Sequence, residues 1–363
     1  MKLNFDWNEL PLVSSDLPGT GGRIRSELED FQVTEVPAYP FDGEGEHLYL
    51  WLEKRGHTTK WILETIQKQM GIKPRDIGVA GLKDRHAITR QWISIPRQFE
   101  DRLPSLDLEG LRLLETKYHS NKLGIGHLRG NIFKLRVRGI DPNSNLGSVS
   151  DVMARARAIL DRLEVAGVPN YFGPQRFGNT GENAVRGLEL VRNGRMRGPE
   201  SIPLKRFLIG SLQSLLFNHY TRLRLERGLY DSLLEGDVAK KHDTGGMFTV
   251  ADALLESPRA ARLEVSATGP LHGKKVMPAH GPSRALEDEV LAAFELENAA
   301  FKDRAGSRRI TRIKMDGLQL EACEDGFWLE FVLPKGSFAT VVLREVMKVN
   351  VDGLDEGSSE DEG

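Results

Sequence analysis

The stretch GVAGLKDRHAITRQWISI, residues 78–95, has the pattern of two strands joined by a short polar loop. Residues 77–80 and 87–95 alternate in character and are rich in β-branched and aromatic side chains, which is typical of strands. Residues 81–86, GLKDRH, lie between them. The pattern predicts a short polar loop between two strands.

The loop places one carboxylate, Asp84, among Lys83, Arg85 and His86. Neighbouring cations favour an ionised carboxylate, so we expect Asp84 to be an anion that is available as a nucleophile or as a partner for a substrate. The alternative is a solvated turn with weak surface ion pairs.

The segment GLKDRHAITRQ resembles the G-x-K-D-x-x-A-x-T-x-Q signature of the TruD family of tRNA pseudouridine synthases. Four further stretches match that family in chain order: EDFQVTE at 29–35, RGNIFKLRVR at 129–138, VPNYFGPQRFGN at 168–179 and LPKGSFATVVLRE at 333–345. The resemblance implies that Asp84 is the catalytic nucleophile.

The same resemblance implies that Phe31, Phe133 and Phe338 line a uridine pocket, where aromatic rings stack on a base turned out of its helix. Each of these rings also suits an ordinary buried core. Asn131 matches a family asparagine beside the substrate, and its amide carries the donor and the acceptor that reading a uracil edge requires. The alternative for Asn131 is a turn after Gly130.

Several basic side chains are candidates for substrate binding. We expect Arg25 to pair with Asp84 or with a phosphate, or else to be an ordinary charge on a strand spanning 23–27. Lys83, Arg85 and Arg90 are candidate phosphate contacts without a catalytic role. The segment NYFGPQRFGN suits either RNA stacking or a turn packed in the protein, and its candidates are Tyr171, Phe172, Gln175, Arg176, Phe177 and Asn179.

The net charge of −2 conceals an uneven distribution. Residues 352–363 hold six acidic and no basic residues, and they predict a disordered acidic tail. Residues 83–138 hold twelve Lys and Arg against six Asp and Glu, and residues 302–314 hold six against one. Such stretches are typical of surfaces that grip phosphates, and also of solvated faces.

Composition excludes several classes of protein. No long apolar segment is present, so we expect neither secretion nor insertion in a membrane. Cys323 is the single cysteine of the chain, which excludes an intrachain disulfide and fits a reducing cytoplasm. The histidines show no zinc-binding spacing, and the expected isomerisation requires neither a metal nor another cofactor. We expect a monomer.

Local signals predict several elements. Thr58 or Thr59 can cap a helix that runs to about residue 70 with Gly71 after it, and Ser337 can cap a helix from about 339 to 348. A linker-like segment spans 140–148, a helix is predicted at about 285–299, and a strand at 310–313.

The order of elements predicts an α+β protein. Strands at both ends enclose a helix-rich middle, which indicates one domain inserted in another. Residues 1–168 and 315–350 are the predicted catalytic domain, a pseudouridine-synthase-type fold with a largely antiparallel mixed sheet. Residues 169–314 are the predicted insert, a helix-rich α/β (TRUD) domain, and 351–363 the predicted tail.

Two functions from different classes follow from these observations. The first is an isomerase that converts uridine to pseudouridine in tRNA, at uridine 13 by resemblance, with Asp84 as nucleophile. The second is a catalytically silent tRNA-binding protein or RNA chaperone on the same scaffold. A carboxylate in an RNA groove is costly for a binding protein, so Asp84 separates the two. A metal-dependent nuclease or deaminase is a third class, and it would lose activity in chelator.

Overall fold

The computed structural model describes residues 7–106, 108–140, 148–178, 181–193 and 201–351. Within these limits the chain forms two compact units. The sheet unit holds described residues 20–154 and 315–336, and the helical unit holds described residues 7–19, 155–314 and 337–351. Residues 141–147, which are most of the predicted linker at 140–148, lie outside the described residues, as do Asn179 and the tail after residue 351.

Among the described residues, the sheet unit is built on an eight-stranded mixed sheet. Its strands are, in order across the sheet, β13 (Asp316–Cys323), β14 (Gly326–Pro334), β6 (Leu128–Arg138), β1 (Phe31–Pro37), β4 (Ile88–Pro96), β2 (His47–Arg55) and β5 (Leu111–His119), with β3 (Gly78–Val79) paired to β4. Strands β1 and β4 are parallel, and the other pairs are antiparallel. This arrangement confirms the predicted α+β class with a largely antiparallel mixed sheet.

Helix α1 (Thr59–Met70) covers one face of this sheet. The Thr58 hydroxyl caps its N-terminus by accepting from Trp61 N, and Gly71 ends it with φ 67°, both as predicted. Its buried side chains pack against alternate residues of β2 and β4. The principal contacts of this core are Ile62, Ile66, Met70, Leu48, Leu50, Leu52, Ile93 and Ile95.

The helical unit combines helices with short sheets. Its helices are α2 from residue 155 onward (Val149–Ala166 in full), α3 (Glu182–Asn193), α4 (Ile202–Glu226), α5 (Ala253–Ala261), α6 (Gly281–Ala293) and α7 (Ala339–Met347). Its strands are β7 (Val168–Pro169), β8 (Val238–Lys241), β9 (Met247–Thr249), β10 (Val265–Leu271), β11 (Ser307–Ile310) and β12 (Arg312–Ile313). Strands β11, β10, β8 and β9 form one sheet, and β12 pairs with β7.

The predicted strand at 23–27 is wrong. Arg23 forms a single bridge with Arg138, and Arg25 turns the chain with a φ of 58°. A left-handed residue cannot continue an extended strand, because it reverses the direction in which the backbone groups point. A 3₁₀ turn at Leu28–Asp30 then leads into β1.

Three boundaries in the helical unit also differ from prediction. The helix predicted at 285–299 occupies Gly281–Ala293 and is followed by a separate 3₁₀ turn at Asn298–Phe301. The predicted strand at 310–313 is divided at Thr311, whose amide and hydroxyl both donate to Ala267 O. Helix α7 has Phe338 at its N-cap and no side-chain cap, so the predicted Ser337 cap is wrong.

The compact units divide the chain differently from the predicted domains. Described residues 7–19 and 337–351 belong to the helical unit, where Glu345 of α7 accepts hydrogen bonds from Val13 N and from the Ser14 hydroxyl. The other unit boundaries fall at residue 154 and at residue 314. The assignment of 1–168 and 315–350 as one catalytic domain stays a prediction.

Candidate active site

The loop that carries Asp84 is fastened to the sheet unit through its backbone. The Lys83 amide donates to the Thr59 hydroxyl at 2.8 Å, at the first turn of α1. Thr59 in turn donates to Gln91 Oε1 at 2.9 Å, and Gln91 Nε2 reaches the carbonyl oxygen of Gly81 at 3.4 Å. Helix α1 and strand β4 therefore fix the loop immediately before Asp84.

Asp84 presents its carboxylate at the surface, with 43% of the side chain exposed. Arg25 Nη2 lies 3.6 Å from Asp84 Oδ2, and the Arg25 side chain is only 8% exposed. The Arg25 guanidinium also lies over the Phe31 ring, with Cζ 4.3 Å from the ring centroid. The predicted pairing of Arg25 with Asp84 is thus present, and a cation stabilises negative charge on that carboxylate.

Lys54, near the end of β2, contacts the same loop from the core. Its side chain is completely buried, and Nζ donates to the backbone oxygen of Asp84 at 2.5 Å. Burial lowers the pKa of Lys54 to about 8, while the Asp84 charge acts in the opposite direction and Lys83 adds to the lowering.

Lys83 occupies a different environment from the one predicted. Its ammonium lies 2.8 Å from Glu35 Oε2, with the two side chains 5% and 1% exposed. Glu35 Oε1 also accepts from Trp92 N at 3.3 Å. A phosphate contact requires an accessible ammonium, so the geometry of Lys83 does not support the predicted role in substrate binding; Lys83 anchors the loop to β1 instead.

Phe31 and Phe133 lie side by side in the core of the sheet unit. Their ring centroids are 6.5 Å apart in an edge-to-face arrangement, and Phe331 continues the row at 5.7 Å from Phe133. All three rings are buried. The guanidinium of Arg25 contacts both the Phe31 ring and the Asp84 carboxylate, so only the Arg25 side chain separates that ring from Asp84.

Asn131 pairs across the sheet with Glu35 of β1, so the two side chains share a face. Its Oδ1 is buried and has no hydrogen-bond partner among the described residues. A buried amide oxygen left in this state costs free energy that a ligand donor would recover. Asn131 thus remains a candidate for reading a base.

Phe338 belongs to the helical unit, where its ring lies 6.2 Å from that of Phe172 in the segment NYFGPQRFGN. Asn218 of α4 holds the Phe172 backbone at both ends, accepting from Phe172 N at 2.8 Å and donating to Phe172 O at 2.9 Å. The Arg309 guanidinium lies 4.0 Å from the Phe172 ring centroid. The segment is therefore packed within its own unit by aromatic and guanidinium contacts.

The other basic side chains proposed to contact phosphates differ in how exposed they are to solvent. Arg85 is exposed next to Asp84. Arg90 pairs with Glu53 on the face of the sheet away from the buried side chains of Thr89 and Gln91, because successive residues of a strand point to opposite faces. In the basic stretch 302–314, Arg308 and Arg312 are buried, and Arg308 pairs with Glu287. That stretch is therefore not one continuous phosphate-binding surface.

Sequence reasoning missed the roles of Lys54 and Glu35. A signal for both existed: Lys54 continues the buried series Leu48, Leu50, Leu52 on β2, and Glu35 continues Phe31 and Val33 on β1. A charged residue in the apolar phase of an alternating strand requires a buried partner.

Within the part of the chain that the structure describes, no helix is both long and apolar enough to cross a membrane. The same described ranges contain no group of three or more His, Cys, Asp or Glu side chains placed to hold a metal ion.

Comparison with known proteins defines the class. The family model described as tRNA pseudouridine synthase D (TruD) matches residues 9–196 and 200–346. A protein named tRNA pseudouridine synthase D from Thermus thermophilus is 54% identical to this chain, and the match covers 96% of this chain and 95% of the relative. A protein of the same name from an Anaeromyxobacter species is 44% identical, and that match covers 95% of this chain and 97% of the relative. The chain belongs to the TruD family.

The fold agrees with that assignment. A solved structure from Methanosarcina mazei, described under the TruD name, superposes with a TM-score of 0.75 and covers 95% of this chain and 97% of its own. Its sequence is 24% identical, so this likeness bears on the fold alone.

Proposed function

We propose that this protein is a tRNA pseudouridine synthase that converts uridine to pseudouridine, at position 13 of tRNA by family resemblance. The observation that carries the proposal is the half-exposed carboxylate of Asp84, held by a buried guanidinium on a loop that α1, β4, β2 and β1 fasten. Family membership supports the reaction class. A cytoplasmic monomer acting on tRNA is part of the proposal.

The reaction rearranges one nucleoside without gain or loss of atoms. The bond from C1′ to N1 breaks, the base turns over, and C1′ joins C5; C5 gives up its proton and N1 ends with one. An anionic carboxylate promotes this by adding to the base at C6 or by attacking C1′. Asp84 suits either role, because its side chain is partly exposed while its backbone oxygen is held by Lys54.

Arg25 and Asn131 have distinct roles in this proposal. Arg25 orients the Asp84 carboxylate through the contact at 3.6 Å between Nη2 and Oδ2. Asn131 offers a buried acceptor, which suits the N3–H of a uracil turned out of the RNA. Arg85 stays a predicted phosphate contact, which its exposure supports. Phe31, Phe133 and Phe338 stay predicted contacts of the base.

The test compares Asp84→Asn with Asp76→Asn, a control in the same unit whose side chain has almost the same exposure, 42% against 43%. Tritium released from tRNA labelled at uridine C5 measures turnover, and filter retention measures tRNA binding. We expect Asp84→Asn to abolish release and retain binding, and Asp76→Asn to behave as wild type.

Two results contradict the proposal. Wild-type protein that binds tRNA but releases no tritium after long incubation favours the silent tRNA-binding protein. Full activity in Asp84→Asn would remove Asp84 from the mechanism. Mapping of pseudouridine in the product tRNA tests position 13 separately.

A further inference from the structure

Lys54 is a charged residue at a position of β2 whose side chain faces the apolar core. It follows Leu52 on the buried face of β2, between Thr89 of β4 and Leu111 of β5, and none of its surface is exposed. An ammonium is expensive to bury unless a partner compensates for the lost water. Its hydrogen-bond acceptor is the peptide oxygen of Asp84.

The charged neighbours of Lys54 come from several elements. Asp84 favours its ammonium form, and Lys83 in the same loop opposes it. His57, just after β2, has its pKa lowered first by burial and then by Lys54 and Arg85, so it titrates on the acid side of its ordinary range. Arg25 contacts the carboxylate of Asp84, whereas Lys54 contacts the carbonyl.

We propose that Lys54 is a positioning residue, whose ammonium fixes the peptide of Asp84 and so aims the carboxylate at the nucleoside. The inference rests on the proposed function. Lys54 acts through Asp84 and does not touch the substrate.

Charge on Lys54 matters because a charge-assisted hydrogen bond is about twice as strong as a neutral one. A misplacement of about 1 Å at a reacting group lowers a rate by about 100-fold. Loss of the proton therefore loosens the loop and slows the chemical step, with little effect on tRNA binding. Since the pKa of Lys54 is about 8, this loss begins near that pH.

The experiment measures kcat and KM by tritium release between pH 6 and 10 for wild type, Lys54→Met, Lys54→Arg and the exposed control Lys60→Met. For Lys54→Met we expect kcat to fall by about 10- to 100-fold, with KM changed less than about twofold. For wild type we expect kcat to decline above pH 8. Lys54→Arg keeps its charge there and should lack that decline.

Titration of the tRNA itself affects all variants alike, so the difference between wild type and Lys54→Arg isolates Lys54. The inference is overturned if Lys54→Met retains wild-type kcat, or if wild type and Lys54→Arg share one alkaline profile. Thermal unfolding checks each variant, and if Lys54→Met does not fold, the comparison of pH profiles decides. An inactive wild type defeats the proposed function itself, whereas an active enzyme indifferent to Lys54 defeats this inference alone.

Discussion

Arg25 joins Asp84 to the aromatic core: its Nη2 lies 3.6 Å from Asp84 Oδ2, while its Cζ lies 4.3 Å from the centroid of the Phe31 ring. The backbone of Arg25 is left-handed, with φ 58°. That conformation costs a non-glycine residue about 1–2 kcal/mol. The fold retains this strain at the residue that contacts the candidate nucleophile, which is where strained backbone tends to occur.

The first prediction separates this strain from the role of the guanidinium. Arg25→Gly and Arg25→Ala both remove the side chain, but only glycine accepts a positive φ without strain. We expect kcat to fall equally in both variants, by about 10- to 100-fold if the carboxylate loses its orientation. Arg25→Gly should be more stable than Arg25→Ala by about 1 kcal/mol in urea unfolding.

Arg55→Ala is the control, because Arg55 pairs with Glu29 at the exposed surface of the same unit. Its kcat should match that of wild type. Equal stability of the glycine and alanine variants would show that the turn is unstrained, and an undiminished kcat in both would remove Arg25 from the site.

The second prediction concerns the buried pair of Lys83 and Glu35. Removing one member of a buried ion pair destabilises a protein by about 3–5 kcal/mol, because the other charge is left without compensation. We expect such losses for Lys83→Met and Glu35→Leu in urea unfolding, and substantial recovery in the double variant. The Trp92 amide still loses its acceptor there, so recovery stays incomplete.

Arg75 and Asp76 provide the comparison, because this pair is solvent-exposed. Arg75→Met should cost less than about 1 kcal/mol. Additive losses in the Lys83→Met/Glu35→Leu variant would mean that the two charges do not depend on each other.

The third prediction uses Asn131. Its Oδ1 has no hydrogen-bond partner within the described ranges, so Asn131→Leu gives up no bond of that oxygen. We expect the free energy of unfolding to stay within about 1 kcal/mol of wild type, while kcat/KM falls by about tenfold through loss of a bond to the base. Tritium release and urea unfolding on the same preparations check both parts.

Gln32→Leu is the matched control, since Gln32 lies on the opposite face of β1 from Phe31 and Val33. It should leave kcat/KM unchanged. A large loss of stability in Asn131→Leu, with kcat/KM intact, would assign Asn131 to the core instead of the site.

Local patterns predicted the elements that local forces decide. Helix α1 begins at the Thr58 cap and ends at Gly71 as expected, because both signals act within one turn of the helix. The strands around the loop follow from alternation. The catalytic role of Asp84 stays a prediction that rests on the family resemblance, because charges adjacent in sequence also fit a solvated turn. The family resemblance supplied the reaction.

What sequence did not reveal depends on long-range register. Alternation places Lys54 and Glu35 on the buried face, but their partners, Asp84 and Lys83, are 30 and 48 residues away. The sequence thus predicted Lys83 to be a phosphate contact, whereas in the folded sheet its ammonium lies beside Glu35. The left-handed turn at Arg25 has no signal in residue type, since arginine adopts that conformation only when surrounding contacts require it.

The last prediction tests the burial of Lys54 through stability. Its pKa is about 8 in the folded protein and about 10.4 in an unfolded chain, so between these values the unfolded state binds more protons. Stability from this group therefore rises as pH increases from about 8 to about 10.5, and is lost as pH falls through that window. We expect the free energy of unfolding of wild type, relative to that of Lys54→Met, to rise by up to about 3 kcal/mol across this window.

Lys60→Met, as an exposed control, should show no such difference from wild type. A constant difference between wild type and Lys54→Met from pH 7 to 10.5 would mean that Lys54 keeps an ordinary pKa, and that water reaches its ammonium in the folded protein.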